Sequence, residues 1–95
     1  MRRAMAVEVR MPTILRKYTS GAKAVEGSGS TVREVIEDLE QRHPGVRGAV
    51  VTDGGELHRF INMYLNDEDI RFLGSLETPV SEGDVISILP AVAGG

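Results

Sequence analysis

The 95-residue sequence predicts an α+β fold in which one main helix packs on a sheet. Apolar and polar residues alternate in the segments 7–11, 57–66 and 85–89, and this period of two is typical of half-buried strands. Residues 31–42 instead place apolar side chains at helical spacing. Two shorter strand candidates complete the predicted order of strand, strand, helix, strand, short strand, strand.

The N-terminal third of the chain predicts a hairpin. In residues 7–11 three apolar side chains alternate with two charged ones, and Pro12 marks the end of this strand. After the turn-prone residues 19–21, the segment 22–26 is short enough to pair back as the second arm. The Gly-Ser-Gly-Ser sequence at 27–30 is expected to form a loop.

The predicted helix begins at a capping box, in which Thr31 is followed three residues later by Glu34. The sequence His-Pro-Gly at 43–45 ends the helix, and His43 is explained as a residue at its C-terminus. The apolar face consists of Val32, Val35, Ile36 and Leu39.

The second half of the chain contains the clearest strand, residues 57–66. One face of this strand carries Ile61, Met63 and Leu65, and the other carries Phe60, Asn62, Tyr64 and Asn66. Before it, residues 46–51 are expected to form a short turn or strand, and 52–55 a turn. After it, residues 66–69 are expected to turn, and 70–72 to return as a short strand.

The last predicted strand, 85–89, follows a turn at 81–84. Pro90 has no N–H to give to a sheet, so we expect it to end the pairing and residues 90–95 to project as a flexible tail. The predicted core combines the inward positions of the elements: Val7, Val9, Val35, Ile36, Leu39, Ile61, Met63, Leu65, Ile86 and Ile88.

The composition is that of an ordinary soluble globular protein, with 41% apolar and 26% charged residues. A chain of this length forms one domain, 1–95, and has no apolar run long enough for a membrane span. The net charge of −3 and the scattered basic residues argue against nucleic acid as a partner. Because cysteine is absent, disulfides and thiolate sites are excluded. We expect a cytoplasmic protein, monomeric alone, with residues 1–5 disordered.

The strongest functional signal is the glycine pair Gly94 and Gly95. At an average usage of about 7%, two terminal glycines arise by chance in roughly 0.5% of chains, so the pair alone is a modest indication. Its place behind an apolar strand and a proline strengthens it, since a terminus without Cβ atoms fits a narrow channel and approaches a reagent closely. The alternative is an ordinary frayed chain end.

Metal and catalytic sites are less well supported. Asp67, Glu68 and Asp69 offer oxygen ligands, but three consecutive acids cannot all point inward on a regular strand, which favours a solvated turn. His43 and His58 have no cysteine or obvious acidic partner, so zinc binding and catalysis by them are not expected. We expect the chain to bind no metal or cofactor of its own.

Alternation exposes Phe60 and Tyr64 if the opposite face of their strand is core. Leu89 lies opposite the core positions of the last strand, and apolar patches on small domains often mark partner sites. The predicted partner-binding residues are Phe60, Tyr64, Leu89, Pro90, Ala91, Val92 and Ala93. The alternative for the aromatic side chains is a second, minor core beneath a loop.

Five segments together span nearly the whole chain: 12–16 (Pro-Thr-Ile-Leu-Arg), 57–60 (Leu-His-Arg-Phe), 66–72, 82–84 and 88–95. They resemble the ubiquitin-like sulfur carriers, the family of the molybdopterin synthase small subunit and the thiamine-pathway carrier. The similarity is nearest to the actinobacterial carriers for cysteine biosynthesis. The Val-Ala-Gly-Gly ending discriminates less well, because molybdopterin subunits share it. The resemblance implies a β-grasp fold with the first and last strands as parallel neighbours at the centre.

The resemblance also implies chemistry at Gly95. An E1-like activating enzyme with ATP and magnesium would form an acyl-adenylate there, and sulfide or a persulfide would displace AMP to leave a thiocarboxylate. In the cysteine pathway this sulfur attacks an aminoacrylate on a pyridoxal-phosphate-dependent cysteine synthase, and a zinc metallopeptidase releases cysteine. All of these cofactors belong to the partners, so the chain is implied to be a protein substrate and sulfur donor rather than an enzyme.

Three other functions stay open at this stage. The chain can be the small subunit of molybdopterin synthase, with its tail inserted into the large subunit. It can be a ubiquitin-like modifier whose Gly-Gly end forms isopeptide bonds with lysines, or a plain interaction domain. One sequence does not identify the surface residues that choose between these partners.

Overall fold

The computed structural model describes residues 6–91, so the predictions for residues 1–5 and 92–95 lie outside the described part. The five strands are β1 (Ala6–Arg10), β2 (Ala24–Ser28), β3 (Ile61–Leu65), β4 (Glu68–Asp69) and β5 (Val85–Pro90). The helices are α1 (Val32–Arg42), α2 (Val46–Val50) and the short 3-10 helices Thr13–Thr19, Ile70–Phe72 and Ser75–Glu77. Among the described residues, no helix has the length and apolar character needed to cross a membrane.

The strands form one mixed sheet in the order β2-β1-β5-β3-β4. The central strands β1 and β5 are parallel, with Val9 opposite Ile86, and the other neighbours are antiparallel. Parallel neighbours require a long crossover connection, and the chain between β1 and β5 contains helix α1. This arrangement confirms the β-grasp fold.

One apolar core joins the sheet to α1, and every residue of the predicted core is buried in it. The cluster also includes Met11, Leu15, Val32, Val46, Val50, Ile70, Leu76 and Val80. Full burial of a Val, Leu or Ile side chain contributes about 1.5–3 kcal/mol, so these residues supply the main driving force for the fold.

The capping box at the start of α1 is confirmed, with a small shift. The Thr31 hydroxyl oxygen accepts a hydrogen bond from the Glu34 N–H at 3.2 Å. The Glu34 carboxylate accepts one from the Ser30 N–H at 2.8 Å, one residue earlier than a standard capping box. At the other end His43 is the C-cap, and its N–H donates to the Leu39 carbonyl.

The second arm of the hairpin is displaced from its predicted position. β2 covers Ala24–Ser28 rather than 22–26, so half of the predicted Gly-Ser-Gly-Ser loop belongs to the strand. Gly27 lies opposite Val7 and is buried under α1, where a Cβ would sit 2.7 Å from Val35 Cγ1. A glycine that normally marks a loop is therefore required here by the close approach of helix and sheet.

Residues 46–51 were predicted as a turn or strand, which is wrong: α2 occupies Val46–Val50. Its start is stabilised by the Glu40 carboxylate, which accepts hydrogen bonds from the Arg47 N–H at 2.9 Å and the Gly45 N–H at 3.2 Å. These two bonds hold the pKa of the Glu40 carboxyl below its usual value, with the Arg47 bond as the larger cause. The predicted turn at 52–55 is present.

The clearest strand is shorter than predicted, since β3 begins at Ile61 instead of residue 57. The Ile61 N–H donates to the His58 carbonyl at 3.0 Å, which closes a turn just before the strand. The return strand was also misplaced. Asn66 and Asp67 both have positive φ, so the chain turns within these two residues and β4 starts at Glu68. The segment Ile70–Phe72, predicted as the return strand, is a 3-10 helix that buries Ile70.

Candidate docking face and tail base

The sheet surface that faces away from α1 carries Tyr64 and Leu89, two of the predicted partner-binding residues. In the register of β3 and β5, Asn62 lies opposite Leu89 and Tyr64 lies opposite Ser87. Side chains alternate along a strand, so these residues lie on the face opposite the buried positions of both strands. The term docking face is used below for Asn62, Tyr64, Ser87 and Leu89 together with Phe60, which immediately precedes β3 and whose carbonyl accepts the Ala91 N–H.

Two large apolar side chains of the docking face are open to water. Phe60 is 55% exposed and Leu89 is 46% exposed. Tyr64 is partly buried, so it fits neither a fully exposed surface nor a closed minor core. Apolar area of this kind is unfavourable in water, and a partner that covers it gains binding free energy.

A groove of about 680 Å³ runs between the docking face and the 3-10 helix Thr13–Thr19. Tyr64 and Leu89 line one side, and Ile14, which is 58% exposed, lines the other. The sequence analysis did not assign Ile14 to this surface. Ile14 lies in the segment 12–16, which contributes to the family resemblance. This segment is too short for periodicity to show which of its side chains face outward.

Charges of both signs border the groove. Arg10 and Asp67 line it, and the Arg10 Nε donates a hydrogen bond to the Glu8 carboxylate at 2.8 Å. This hydrogen bond is the main cause that raises the pKa of the Arg10 guanidinium. The Arg10 and Glu8 side chains are 62% and 47% exposed, so the ion pair adds little to stability.

Phe60 is held by its neighbours in sequence. The Arg59 guanidinium carbon lies 5.4 Å from the Phe60 ring centroid, and the His58 and Phe60 ring centroids are 5.7 Å apart. The His58 Nδ1 accepts a hydrogen bond from the Phe60 N–H at 3.3 Å. His58 therefore orders the backbone at the edge of the docking face.

Pro90 and Ala91, called the tail base below, are attached to the same end of β3. Pro90 does not end the pairing as predicted: it lies opposite Ile61, and the Ala91 N–H donates to the Phe60 carbonyl at 2.8 Å. Hydrogen-bonding directions alternate along a strand, so the ring nitrogen of Pro90 faces the β1 side. The β1 pairing has already ended there, at Arg10 opposite Ser87, and no hydrogen bond is lost.

The predicted chemical residues Gly94 and Gly95, with Val92 and Ala93, lie outside the described part of the chain. Gly95 is four residues after Ala91 in the sequence. A fully extended chain spans at most about 3.6 Å per residue, so Gly95 reaches no more than about 14 Å from Ala91.

Within residues 6–91, no group of three or more His, Asp or Glu side chains is arranged to hold a metal ion. Asp67 lies in the two-residue turn with a φ of 74°. Asp69 accepts a hydrogen bond on its carboxylate from the Arg71 N–H at 2.9 Å. The acidic segment thus has a local structural role.

Comparison with known proteins identifies the family. The model of the ThiS family matches residues 9–95. The chain belongs to the ThiS family. This confirms the resemblance to ubiquitin-like sulfur carriers that the sequence analysis drew from its five segments.

Individual ThiS-family relatives match over nearly their full length. The chain is 50% identical over 93 residues to the sulfur carrier protein CysO of Mycobacterium tuberculosis, which covers 96% of this chain and 100% of that protein. It matches a chain of the crystal structure of the Amycolatopsis orientalis BexX/CysO complex with a TM-score of 0.87 and 56% identity, covering 94% and 99%. It is also 33% identical over 94 residues to small archaeal modifier protein 3 of Haloferax volcanii, covering 96% and 100%.

Proposed function

We propose that this ThiS-family protein carries sulfur as a thiocarboxylate on Gly95 and delivers it for cysteine biosynthesis. The observation that carries the proposal is the 50% identity to CysO over 93 residues, since that relative is named a sulfur carrier and is covered completely. The family match also extends to residue 95, the proposed site of the chemistry.

In the proposed reaction an E1-like partner first activates the chain, because a carboxylate is a poor electrophile. The Gly95 carboxylate attacks the α-phosphorus of ATP, which the partner holds with Mg²⁺, and pyrophosphate leaves. Sulfide then attacks the carbonyl carbon of the acyl-adenylate and AMP leaves, so that one oxygen of the carboxylate has been replaced by sulfur. The chain itself contributes a terminus with no Cβ atom on Gly94 or Gly95.

Delivery of the sulfur requires further partners. The thiocarboxylate sulfur adds to an aminoacrylate on a pyridoxal-phosphate-dependent cysteine synthase, and an S-to-N acyl shift leaves cysteine linked to Gly95 through an amide. A zinc metallopeptidase hydrolyses this amide and restores the Gly-Gly end. The carrier acts as a protein substrate throughout.

The docking face supports recognition of the folded protein by these partners. A Gly-Gly segment offers little apolar area, whereas Phe60 and Leu89 present exposed apolar side chains beside Ala91, where the tail begins. Docking there would hold the tail near a partner's active site and raise its effective concentration. The proposed contact set is the docking face with Pro90, Ala91, Val92 and Ala93.

Intact-mass spectrometry tests the central step. The purified chain is incubated with the cognate activating enzyme, ATP, Mg²⁺ and sulfide, and the expected product carries sulfur in place of one oxygen. Controls omit ATP or use a chain that lacks Gly94 and Gly95. An unchanged mass, with an enzyme proven active on another carrier, would refute the proposal.

A second candidate function is protein modification, favoured by the 33% identity to small archaeal modifier protein 3. Activated Gly95 would then react with a lysine amine instead of sulfide. Incubation of the thiocarboxylate with the cysteine synthase and the serine derivative that supplies the aminoacrylate should add the mass of the aminoacrylate to a sulfur carrier, because the sulfur is already on the chain. A modifier should instead yield larger conjugates, with Gly95 linked to lysine, when the adenylate forms in the presence of target proteins. Stable copurification with a molybdopterin synthase large subunit would instead support the small-subunit function.

A further inference from the structure

The outer side of β3 lacks a strand partner near its beginning. β4 has only two residues, which pair with Tyr64 and Leu65. The Phe60 carbonyl faces β5, where it accepts the Ala91 N–H, so by alternation the Ile61 carbonyl faces the outer side. A backbone acceptor at such an edge is left to water unless another part of the chain supplies a donor.

Arg71 supplies this donor. Its Nη2 donates to the Ile61 carbonyl at 2.7 Å, and its Nη1 donates to the Asn62 side-chain oxygen at 2.8 Å. The turn that presents Arg71 is itself fixed, since the Asp69 carboxylate accepts the Arg71 N–H and Ile70 is completely buried. A planar guanidinium with several donors can make both bonds at once, which a lysine ammonium does less well.

The two residues that Arg71 binds are paired with the last two residues of β5. Ile61 lies opposite Pro90 and Asn62 lies opposite Leu89. Arg71 therefore binds the outer side of the strand end whose inner side pairs with Leu89 and Pro90. Arg59, beside the same strand end, contacts the Phe60 ring instead.

We propose that Arg71 is a positioning residue for the Gly-Gly end. By holding the start of β3 it keeps the Ala91 N–H on the Phe60 carbonyl, four residues before Gly95 in the sequence. Without it the hydrogen bond between Phe60 and Ala91 opens more often, so the position of Ala91 relative to the docking face is less fixed. A less fixed Ala91 lowers the effective concentration of Gly95 at a docked active site. This last step rests on the proposed function.

Amide hydrogen exchange followed by NMR tests the structural part without any partner. In Arg71→Ala the Ala91 amide should exchange about five- to tenfold faster, because a charge-assisted hydrogen bond to its paired strand is lost. The Ile86 amide in the central strand should exchange at the wild-type rate. Arg47→Ala, which removes the same charge from an exposed ion pair with Glu37, is the matched control and should leave Ala91 unchanged. Arg71→Lys should give an intermediate rate and provides the test if the alanine variant does not fold.

Activation kinetics test the positioning role. Arg71→Ala should lower kcat for adenylation about fivefold or more while the Kd for the activating enzyme stays at the wild-type value. A raised Kd with unchanged kcat would mean that Arg71 supports docking, either directly or through Asn62, and it would overturn the proposal. An unchanged Ala91 exchange rate would overturn it as well. If wild-type protein is not activated at all, the proposed function fails, while the exchange rates still decide whether Arg71 holds the tail base.

Discussion

Two neighbouring residues of β5 allow folding and docking to be tested separately. Ile88 is 1% exposed and Leu89 is 46% exposed, on opposite faces of the same strand. Truncation of a fully buried isoleucine to alanine costs about 2–5 kcal/mol. Since 1 kcal/mol shifts the Tm of a domain of this size by about 4–8 °C, Ile88→Ala should lower the Tm by roughly 8 °C or more.

Leu89→Ala should cost less stability than Ile88→Ala and should instead weaken binding. Complete burial of a leucine side chain is worth about 1.5–3 kcal/mol, and about half of this area is already in water, so the truncation should cost only about 0.7–1.5 kcal/mol. As an interface anchor, Leu89 should instead contribute at least about 1.4 kcal/mol to binding, a tenfold weaker Kd for the activating enzyme in the variant.

Circular dichroism melts and a binding titration of both variants provide the measurement. If Leu89→Ala lowers the Tm as much as Ile88→Ala, the docking face is a second core and the reasoning is wrong. If it changes neither the Tm nor the Kd, the partner binds elsewhere.

Three further predictions concern the tail, the helix–sheet contact and acid stability. Deleting Gly94 and Gly95 should leave the Tm nearly unchanged and abolish adenylation; a large drop in Tm would show that the tail is structural. Gly27→Ala should destabilise by about 1–3 kcal/mol in urea titrations, because its Cβ would lie 2.7 Å from Val35 Cγ1. Gly48→Ala, with no atom within 4 Å of the new Cβ, should stabilise α2 by about 0.5–1 kcal/mol, and equal effects of the two changes would contradict this explanation. The lowered pKa of Glu40 means that its contribution to stability is complete above its ordinary value of 4.5 and is lost as the pH falls through the lower folded value. The stability advantage of wild type over Glu40→Gln should therefore shrink in that acid range, and a constant difference would count against it.

Elements with a clear period and a local signal were predictable from the sequence. The capping box of α1 and the alternating faces of β3 and β5 lie within short stretches of chain, so their patterns suffice. The helix α2 was missed because five residues give only one apolar repeat, Val46 and Val50, and its stabilising carboxylate comes from Glu40 in the preceding helix.

Glycine was misleading where tertiary contact decides its role. Gly27 and Gly29 both occur in a sequence typical of a loop, yet Gly27 lies in β2 because Val35 and Leu39 of α1 approach the strand closely. The same limitation applies to the docking face. Its exposed positions follow from alternation, but the contribution of Ile14 depends on where the 3-10 helix Thr13–Thr19 packs, which no local pattern encodes.

The position of Pro90 and Ala91 also depends on neighbours distant in sequence. This position connects the docking face with Gly95, the site of the proposed chemistry. Pro90 can stay in the sheet because β1 ends before it, and Ala91 is held because the Phe60 carbonyl is available on the other side. Phe60 thus contributes an exposed ring to the docking face and a backbone acceptor to the tail base. A partner that covers this ring meets Ala91 at a fixed position, and Gly95 can reach no more than about 14 Å from Ala91. The reactive centre of each partner should therefore lie within that distance of the position that Ala91 takes in the complex.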